Sequence, residues 1–227
     1  MQAVLLAAGK GTRMGNLTEE LPKPLLTVGE KTLLEYKLEA LPPEITEVII
    51  VVGFFGEKIR RQLGEQYLHL PITYIEQETC NGTMGALLAA KPLLSGTFLV
   101  MMGDDIYAEE DMALMVRERA AVCAKEIRSE ERGGELLLDA DDNFVGMYEA
   151  RHFIEKGLIN SGLYTLPADF LDEEPVLVPG TTEFGIPHTL VAYAKRHPVH
   201  VVTSNAPWLQ ITREEDLIEA AGYLGVV

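Results

Sequence analysis

The sequence predicts an α/β fold built on a parallel sheet with helices on both faces. Over the first two-thirds of the 227 residues, short apolar strands alternate with segments of helical periodicity. One strand, residues 47–52, is dominated by β-branched residues, which is typical of a strand covered on both faces. Because strands that alternate with helices lie side by side in one direction, we expect a parallel sheet.

The first elements follow from apolar spacing and from the residues that end it. Residues 33–41 carry leucines at helical spacing up to Pro42 and Pro43, and Gly53 ends the strand at 47–52. On the same grounds we predict strands at residues 3–6, 72–75 and 97–102. We predict further helices at residues 57–63 and 83–91.

The second part of the chain is richer in strands. We predict strands at residues 121–127, 135–139, 144–149 and 157–166. A helix at residues 187–196, a strand at 199–203 and a helix at 213–223 follow. Because the sequence lacks a Gly/Ser linker and an internal repeat, we expect one domain over residues 1–227. Its two halves would be residues 1–120, mostly parallel, and residues 121–227, more antiparallel.

Composition limits the partners and the compartment. A net charge of −16 argues against a general nucleic-acid binder, which needs a basic surface. Cys80 and Cys123 lack the spacing of metal ligands and predict reduced thiols in a cytoplasmic protein. We expect no membrane partner, because the apolar runs are too short to span a bilayer and the first residues lack the basic flank of a secretory signal.

A glycine-rich stretch follows the first predicted strand. Residues 5–14 read LLAAGKGTRM, and residues 21–26 read LPKPLL. A dinucleotide-binding loop would need a third glycine where Met14 stands, and the sequence lacks the G-x-x-x-x-G-K-[ST] string of a P-loop. The spacing therefore excludes both of these phosphate-binding loops.

The stretch still carries the chemistry of a nucleoside triphosphate site. Gly9 and Gly11 let main-chain N–H groups approach phosphate oxygens, and Thr12 adds a hydroxyl donor. Arg13 offers a fork of donors, and Lys23 stands between two prolines that stiffen its main chain. We therefore predict that this loop binds a triphosphate.

Three predicted loops should meet at one edge of the sheet. Ligands of open α/β sheets bind beyond the carboxyl ends of the strands. The glycine-rich loop, residues 77–85 and residues 103–105 each follow such an end. We expect one crevice there, with the nucleotide on the first half and the other substrate on the second half.

The glycine-rich string and the LPKPLL segment closely resemble the opening of the sugar-phosphate nucleotidyltransferases, and the resemblance continues in order over nearly the whole chain. It implies a Rossmann-like, three-layer fold with a mixed, mostly parallel central sheet of the GT-A-like kind. It also implies an enzyme that joins a nucleoside triphosphate to a sugar 1-phosphate, releases pyrophosphate and uses Mg²⁺.

The same resemblance assigns residues to the nucleotide. Arg13 would lie along the phosphates, and Lys23 would hold the α-phosphate or the leaving group, so both are implied as catalytic. Gln77 and Gly82 match a motif that reads the edge of the base. An amide with a main-chain group suits a pyrimidine edge, which favours UTP or dTTP. The implied nucleotide-binding residues are Leu6, Ala8, Gly9, Gly11, Thr12, Gln77, Gly82 and Thr83.

On the acceptor side, the resemblance implies sugar-binding roles for Glu149 and Asn160. The family commonly has a lysine directly after the glutamate, and this sequence has Ala150. Arg151 lies on the same face of the predicted strand as Glu149 and would substitute for that lysine.

The match at the metal is also incomplete. Asp104 corresponds to the aspartate that binds Mg²⁺ in the family, and its neighbour Asp105 is a further candidate. The second metal-binding aspartate of the family is replaced by Gln210, and Thr212 stands where a glycine is usual. An amide oxygen can bind Mg²⁺, so Gln210 is retained as an uncharged ligand.

We expect an in-line displacement that needs positioning and charge stabilisation but no enzyme nucleophile. The departures at positions 150 and 210 leave two alternatives open. One is a nucleotide-binding or regulatory homologue without turnover, and the other is a cytidylyltransferase-type enzyme that uses a non-sugar phosphomonoester such as phosphocholine. The sequence leaves the oligomeric state open, a homo-oligomer included. Because the chain ends just after its last predicted helix, no C-terminal β-helix domain is expected.

Overall fold

The computed structural model describes residues 1–9, 11, 14, 17–126, 134–149 and 157–226. The strands are β1 (Gln2–Ala7), β2 (Thr27–Val28), β3 (Lys31–Thr32), β4 (Glu47–Val52), β5 (Gln66–Tyr67), β6 (Leu70–Glu76), β7 (Thr97–Met102), β8 (Asp105–Tyr107), β9 (Ala121–Glu126), β10 (Gly134–Leu138), β11 (Phe144–Glu149), β12 (Leu158–Pro167), β13 (His200–Thr203) and β14 (Trp208–Gln210). The α-helices are α1 (Leu33–Glu39), α2 (Gly56–Leu63), α3 (Thr83–Ala90), α4 (Glu109–Met115), α5 (Ile186–Ala194) and α6 (Glu214–Leu224). Among the described residues, no helix is long and apolar enough to cross a membrane.

Most strands join one mixed sheet in the order β11-β10-β12-β7-β1-β4-β6-β5, and β9 and β13 join it through β12. Strands β7, β1, β4 and β6 run parallel to one another. Strand β12 continues the sheet antiparallel to β7, with Tyr164 opposite Val100. This mixed sheet with a parallel centre confirms the predicted fold class.

Helices cover both faces of the sheet, so the fold has three layers. Side chains alternate between the two faces along β1. Val4 and Leu6 pack in one apolar cluster with residues of α3 and α5, and Leu5 packs in a second cluster with residues of α1, α2 and α4. Full burial of one leucine side chain contributes about 1.5–3 kcal/mol, so burial on both faces explains the apolar runs.

Strand β12 belongs to the second half of the chain but pairs with strands of both halves. Residues 164–167 pair with β7, and β9 pairs with residues 158–160 and 164–165 of β12; Ile159 also lies opposite Glu135 of β10. The register of the β9–β12 pairing shifts between Asn160 and Tyr164, and Gly162 within this interval adopts a φ of +77°, a conformation that glycine adopts without strain. One continuous sheet therefore runs through both predicted halves.

The predicted elements agree with the structure to within two residues at each end, as far as those ends are described. Helix α4 and the short strands β2, β3, β5, β8 and β14 are absent from the prediction. Helix α4 has seven residues with three acids in its first turn, so its apolar stripe is short. Strands β8 and β14 pair with each other over three residues, Trp208 lying opposite Tyr107. Pairing between segments so far apart in sequence leaves little local signal.

Candidate active site

The carboxyl ends of the central parallel strands meet at one edge, as predicted. The main-chain N–H of Gly103, after β7, donates to the Leu6 carbonyl at 3.0 Å, and that of Gln77, after β6, donates to the Val52 carbonyl at 2.8 Å. A Cβ at Gly103 would lie 2.7 Å from the Leu6 carbonyl oxygen, closer than protein atoms tolerate. Glycine at 103 is therefore required by close packing around the end of β1.

The glycine-rich loop begins directly after β1. Leu6 and Ala8 are buried, whereas Gly9 is exposed and a Cβ added there would have no atom within 4 Å. Gly11 has a φ of +64°, and a Cβ there would lie 3.1 Å from the Lys23 Cβ. The loop therefore passes close to Lys23, and Gly9 faces open space. Thr12 and Arg13 lie outside the described residues.

Lys23 is held in a fixed position. Pro22 precedes a short 3-10 turn, Lys23–Leu25, in which all three residues are buried. The Lys23 ammonium nitrogen lies 2.6 Å from an Asp104 carboxylate oxygen, and the Asp104 side chain is 41% exposed. The structure thus joins the predicted phosphate-binding cation and the predicted Mg²⁺-binding carboxylate in one ion pair.

The predicted base-reading loop follows β6 and is closed by its own side chains. The amide nitrogen of Gln77 donates to the Asn81 side-chain oxygen at 3.0 Å and to the Gly82 carbonyl at 3.1 Å. Gly82 adopts a φ of +95°. The Gln77 amide nitrogen therefore shapes the loop, a role that the sequence did not reveal.

The same loop is docked onto the start of α5 in the second half of the chain. The Phe184 N–H donates to the Asn81 carbonyl at 2.7 Å, and the Phe184 carbonyl accepts from the Met84 N–H at 2.9 Å. The Thr83 hydroxyl accepts from the Ile186 N–H at 3.1 Å. A Cβ at Gly82 would lie 2.4 Å from the Phe184 carbonyl oxygen, which explains the glycine.

A pocket of about 270 Å³ lies between the two halves of the site. Its lining includes Thr83 from the base-reading loop, Asn160 from the predicted sugar-binding strand and Gln210 from the predicted metal site. Asp105 and Trp208 also line it. The structure therefore brings residues predicted for three different roles around one space.

Asn160 is fixed at the break in β12. Its amide nitrogen donates to the Tyr164 hydroxyl at 2.6 Å, and its amide oxygen accepts from the Gly162 N–H at 2.9 Å. Glu149 ends β11, its main chain opposite Gly134. The side chain of Glu149, together with Ala150 and Arg151, lies outside the described part of the chain.

A buried lysine behind the site is the main feature that sequence reasoning missed. Lys37, on α1, is 1% exposed, and its ammonium donates to the Asp105 carbonyl. The Trp208 indole N–H donates to an Asp105 carboxylate oxygen at 3.1 Å. The available signal was the position of Lys37 on the apolar face of the helix, between Leu34 and Leu38.

Burial and nearby charges both shift the pKa values of Lys37 and Asp105. Burial lowers the pKa of Lys37, and the nearby charges of Asp105 and Asp104 raise it. Burial also raises the pKa of Asp105, and the Asp104 charge adds to that effect. The Lys37 charge and the Trp208 N–H oppose the rise in the pKa of Asp105, because both favour its charged form.

Gln210 lies directly opposite Asp105 in the β8–β14 pair. Directly opposed residues of an antiparallel pair point to the same side, with Cβ atoms about 4.5–5.5 Å apart. In the described ranges, no three His, Cys, Asp or Glu side chains form a group that could hold a metal. Protein oxygens for a cation at this edge would therefore come from Asp104, Asp105 and Gln210.

Residues 2–222 match the family model for nucleotidyl transferases. The chain belongs to the nucleotidyl transferase family. The match spans both halves of the sheet, and it confirms the family resemblance drawn from the motifs.

Relatives of this chain include the bifunctional protein GlmU of Methanocaldococcus jannaschii, 30% identical over 99% of this chain and 54% of the relative. The chain thus spans about half the length of the GlmU relatives it matches. The D-glycero-alpha-D-manno-heptose 1-phosphate guanylyltransferase of Campylobacter jejuni is 28% identical over 76% of this chain and 79% of that protein. The UTP–glucose-1-phosphate uridylyltransferase AglF of Haloferax volcanii is 32% identical over 75% of this chain and 74% of that protein.

A solved structure of a UDP-glucose pyrophosphorylase complexed with UDP-glucose shares the fold of this chain. It superposes with a TM-score of 0.83 at 18% sequence identity, covering 99% of this chain and 98% of that chain. This likeness supports the three-layer, GT-A-like architecture described above.

Proposed function

We propose that the chain transfers a nucleotidyl group from a nucleoside triphosphate to a sugar 1-phosphate and releases pyrophosphate. The observation that carries the proposal is the Lys23–Asp104 ion pair, 2.6 Å long, at the edge where the glycine-rich and base-reading loops meet. Asp105, the next residue, lines the pocket in which an acceptor would sit. The names of two relatives, the heptose 1-phosphate guanylyltransferase and the glucose-1-phosphate uridylyltransferase AglF, support the same reaction.

The reaction is a displacement at the α-phosphorus. A phosphate oxygen of the sugar 1-phosphate forms the new bond to phosphorus, the bond to the oxygen that bridges the α- and β-phosphates breaks, and that oxygen leaves on pyrophosphate. Lys23 stabilises the charge that moves onto the leaving group, and the open main chain at Gly9 lets N–H groups approach the phosphates. Arg13 is proposed to lie along the same phosphates. Because positioning and charge supply the rate, no enzyme nucleophile is needed.

Mg²⁺ is proposed as the cofactor, and the donor set at the edge fits it. The Asp104 carboxylate is partly exposed, and Gln210 lies across from Asp105 with an amide oxygen, so hard oxygen ligands are available. When bound, Mg²⁺ neutralises phosphate charge. Asp104 would hold the ion, and Lys23, released from Asp104, would be free to bind the phosphates.

The proposed nucleotide is UTP or dTTP. A uracil or thymine edge needs a hydrogen-bond acceptor and donors, and the Gln77 side chain with the main chain near Gly82 offers both types. The name of AglF supports UTP, whereas the heptose relative is named for guanylyl transfer. The base must therefore be tested with all common triphosphates.

The acceptor would be held by the second half. Asn160, which lines the pocket, is proposed to bond sugar hydroxyls, and Glu149 and Arg151 are proposed to assist it. The uncharged Gln210 favours one rival: a protein that binds nucleotide without turnover, because an amide oxygen holds Mg²⁺ less strongly than a carboxylate.

The deciding experiment measures pyrophosphate release with UTP, dTTP, CTP, GTP and ATP, each paired with several sugar 1-phosphates and with phosphocholine, with and without Mg²⁺. We expect Mg²⁺-dependent release with UTP or dTTP and a sugar 1-phosphate. Release with phosphocholine alone would establish the non-sugar acceptor instead. Calorimetric binding of a triphosphate without release in any pair would overturn the proposal and establish the silent homologue.

A further inference from the structure

Lys37 has no part in the proposed displacement, yet it is almost completely buried. An ammonium group in a protein interior is costly unless charge or hydrogen bonds compensate for it. Lys37 donates to the carbonyl of Asp105, and it lies within electrostatic reach of the carboxylates of Asp104 and Asp105. Its compensation therefore comes from the turn that carries the proposed metal ligand.

Asp105 also contacts β14, the last strand of the site. Its carboxylate accepts from the Trp208 indole N–H at 3.1 Å, and Gln210 lies opposite it. Among the described residues, β14 pairs with β8 alone, over three residue pairs. So short a ladder is weak by itself, and the Asp105–Trp208 bond adds a charge-assisted link.

We propose that Lys37 is a positioning residue: by holding the main chain of Asp105 and balancing its carboxylate, it keeps Trp208 and Gln210 in place at the pocket. The chain of contacts runs from α1 through Lys37 and Asp105 to β14. Its expected effect on turnover rests on the proposed function, but the placement of Trp208 is independent of any reaction.

A merely structural role of Lys37 and a positioning role predict different results when the residue is replaced. Replacing Lys37 alone leaves the buried Asp105 carboxylate without the cation whose charge acts most strongly on it, which destabilises the fold in either case. Replacing both residues by apolar side chains removes the uncompensated charge and restores stability. Because Asp105→Leu by itself removes the Trp208 acceptor, the double variant is compared with Asp105→Leu and not with wild type. If Lys37 acts through Asp105, adding Lys37→Met to Asp105→Leu changes neither emission nor turnover further, whereas a role unrelated to Asp105 adds its own loss.

Trp208 is the single tryptophan of the chain, so its fluorescence reports on its own surroundings. The experiment compares wild type, Lys37→Met, Asp105→Leu, the double variant Lys37→Met/Asp105→Leu, and Lys91→Met as a control. Lys91 also donates to a carbonyl, that of Leu171 at 2.9 Å, but its side chain is 45% exposed. Tryptophan emission, the urea midpoint and pyrophosphate release with the best substrate pair are measured for each.

We expect Lys37→Met to lower the urea midpoint and to shift the Trp208 emission to longer wavelength. Lys37→Met should also lower turnover about tenfold or more, as for lost outer contacts of a metal site. The double variant should have a higher midpoint than Lys37→Met and should match Asp105→Leu in emission and turnover. Lys91→Met should leave emission and turnover unchanged.

The proposal would be overturned if Lys37→Met folds, emits at the same wavelength as wild type and turns over within twofold of the wild-type rate. If that variant does not fold, the double variant decides: an emission maximum or a turnover clearly different from that of Asp105→Leu would also overturn the proposal. A wild-type protein that turns over no substrate pair refutes the proposed function alone, because the emission measurements still test the placement of Trp208.

Discussion

The Lys23 ammonium and the Asp104 carboxylate, 81 residues apart in sequence, lie 2.6 Å from each other at the edge of the sheet. Each group carries the charge that a triphosphate and its metal ion would engage. The pair therefore holds both side chains in the crevice before any ligand arrives. In the proposed complex, phosphate would bind the lysine and a cation would bind the aspartate, so two charge interactions would replace one.

Replacing Lys23 by alanine should lower turnover by about 10²–10³-fold, the usual cost of losing a group that stabilises charge in the transition state. The fold should persist, because the freed Asp104 carboxylate is 41% exposed and can be hydrated. Pyrophosphate release and thermal unfolding measure the two effects. Lys31→Ala, which breaks the exposed Lys31–Glu39 pair, is the control and should change neither. A Lys23→Ala enzyme with wild-type turnover would contradict the role of Lys23.

Gly9→Ala should separate folding from binding. A Cβ at Gly9 meets no protein atom within 4 Å, so the free energy of unfolding should change by less than about 0.5 kcal/mol. If phosphates approach this main chain, the Cβ should weaken triphosphate binding by about tenfold or more, equal to about 1.4 kcal/mol. Calorimetry with UTP and denaturation with urea give both values.

The matched control is Gly222→Ala, at an exposed position of α6 where a Cβ also meets nothing within 4 Å. Alanine in a helix interior should stabilise by about 0.5–1 kcal/mol and leave binding unchanged. Equal UTP affinities in the two variants and the wild type would place the phosphates elsewhere.

Gly82→Ala should destabilise the fold by more than the strain of alanine at a positive φ alone. The φ of +95° disfavours alanine, and the new Cβ would lie 2.4 Å from the Phe184 carbonyl oxygen. We expect the free energy of unfolding to fall by about 1–3 kcal/mol more than in Gly180→Ala, since overpacking adds to strain. Gly180 has a φ of +78° with open space around it, so it reports strain alone. If urea denaturation shows the same loss of unfolding free energy in both variants, the loop can move away from Phe184 without an energetic cost.

The two cysteines should differ sharply towards alkylation. Cys123 is buried, and burial raises its pKa to about 11, so at pH 8 only about one thousandth of this thiol is thiolate. Cys80 is exposed in the base-reading loop. Iodoacetamide at pH 8 should therefore modify Cys80 alone in the folded protein and both thiols in urea, as mass spectrometry can count.

Nucleotide should also protect Cys80 if the loop at residues 77–83 reads the base. We expect UTP with Mg²⁺ to slow the modification of Cys80 at least about threefold when the site is saturated, since the bound fraction then exceeds about two-thirds. The Cys80→Ser variant fixes the background rate. Identical rates with and without every triphosphate would argue against the base-reading role of this loop.

The fold was predictable because its strongest signals are local. The β-branched run at β4 and the leucine spacing of α1 each follow from burial on a repeating face, and they predict strand and helix without knowledge of the partner. The position of the site was predictable for a related reason. Parallel strands bring their carboxyl ends to one edge, so the segments after β1, β6 and β7 had to meet there.

The contacts between remote segments were not predictable in the same way. Lys37 falls on an apolar helix face, where the local pattern calls for a hydrophobic residue, and only the neighbouring Asp105 explains it. The bond between Phe184 and Asn81 joins main-chain atoms, which leave no mark on side-chain type. The predicted roles of Gln77 and Asn160 remain predictions, although the structure shows that each side chain also shapes its own loop or strand.

Strand β12 has a consequence for dividing the molecule. It belongs by sequence to residues 121–227, yet it pairs with β7 of residues 1–120. A fragment ending near residue 120 would leave the main-chain donors and acceptors on one side of β7 without partners, an open edge that invites aggregation. The two predicted halves therefore share one sheet and do not fold as separate units. A chimera that takes residues 121–227 from a relative brings that relative's β12. It should therefore also take the relative's β7, with which this strand pairs.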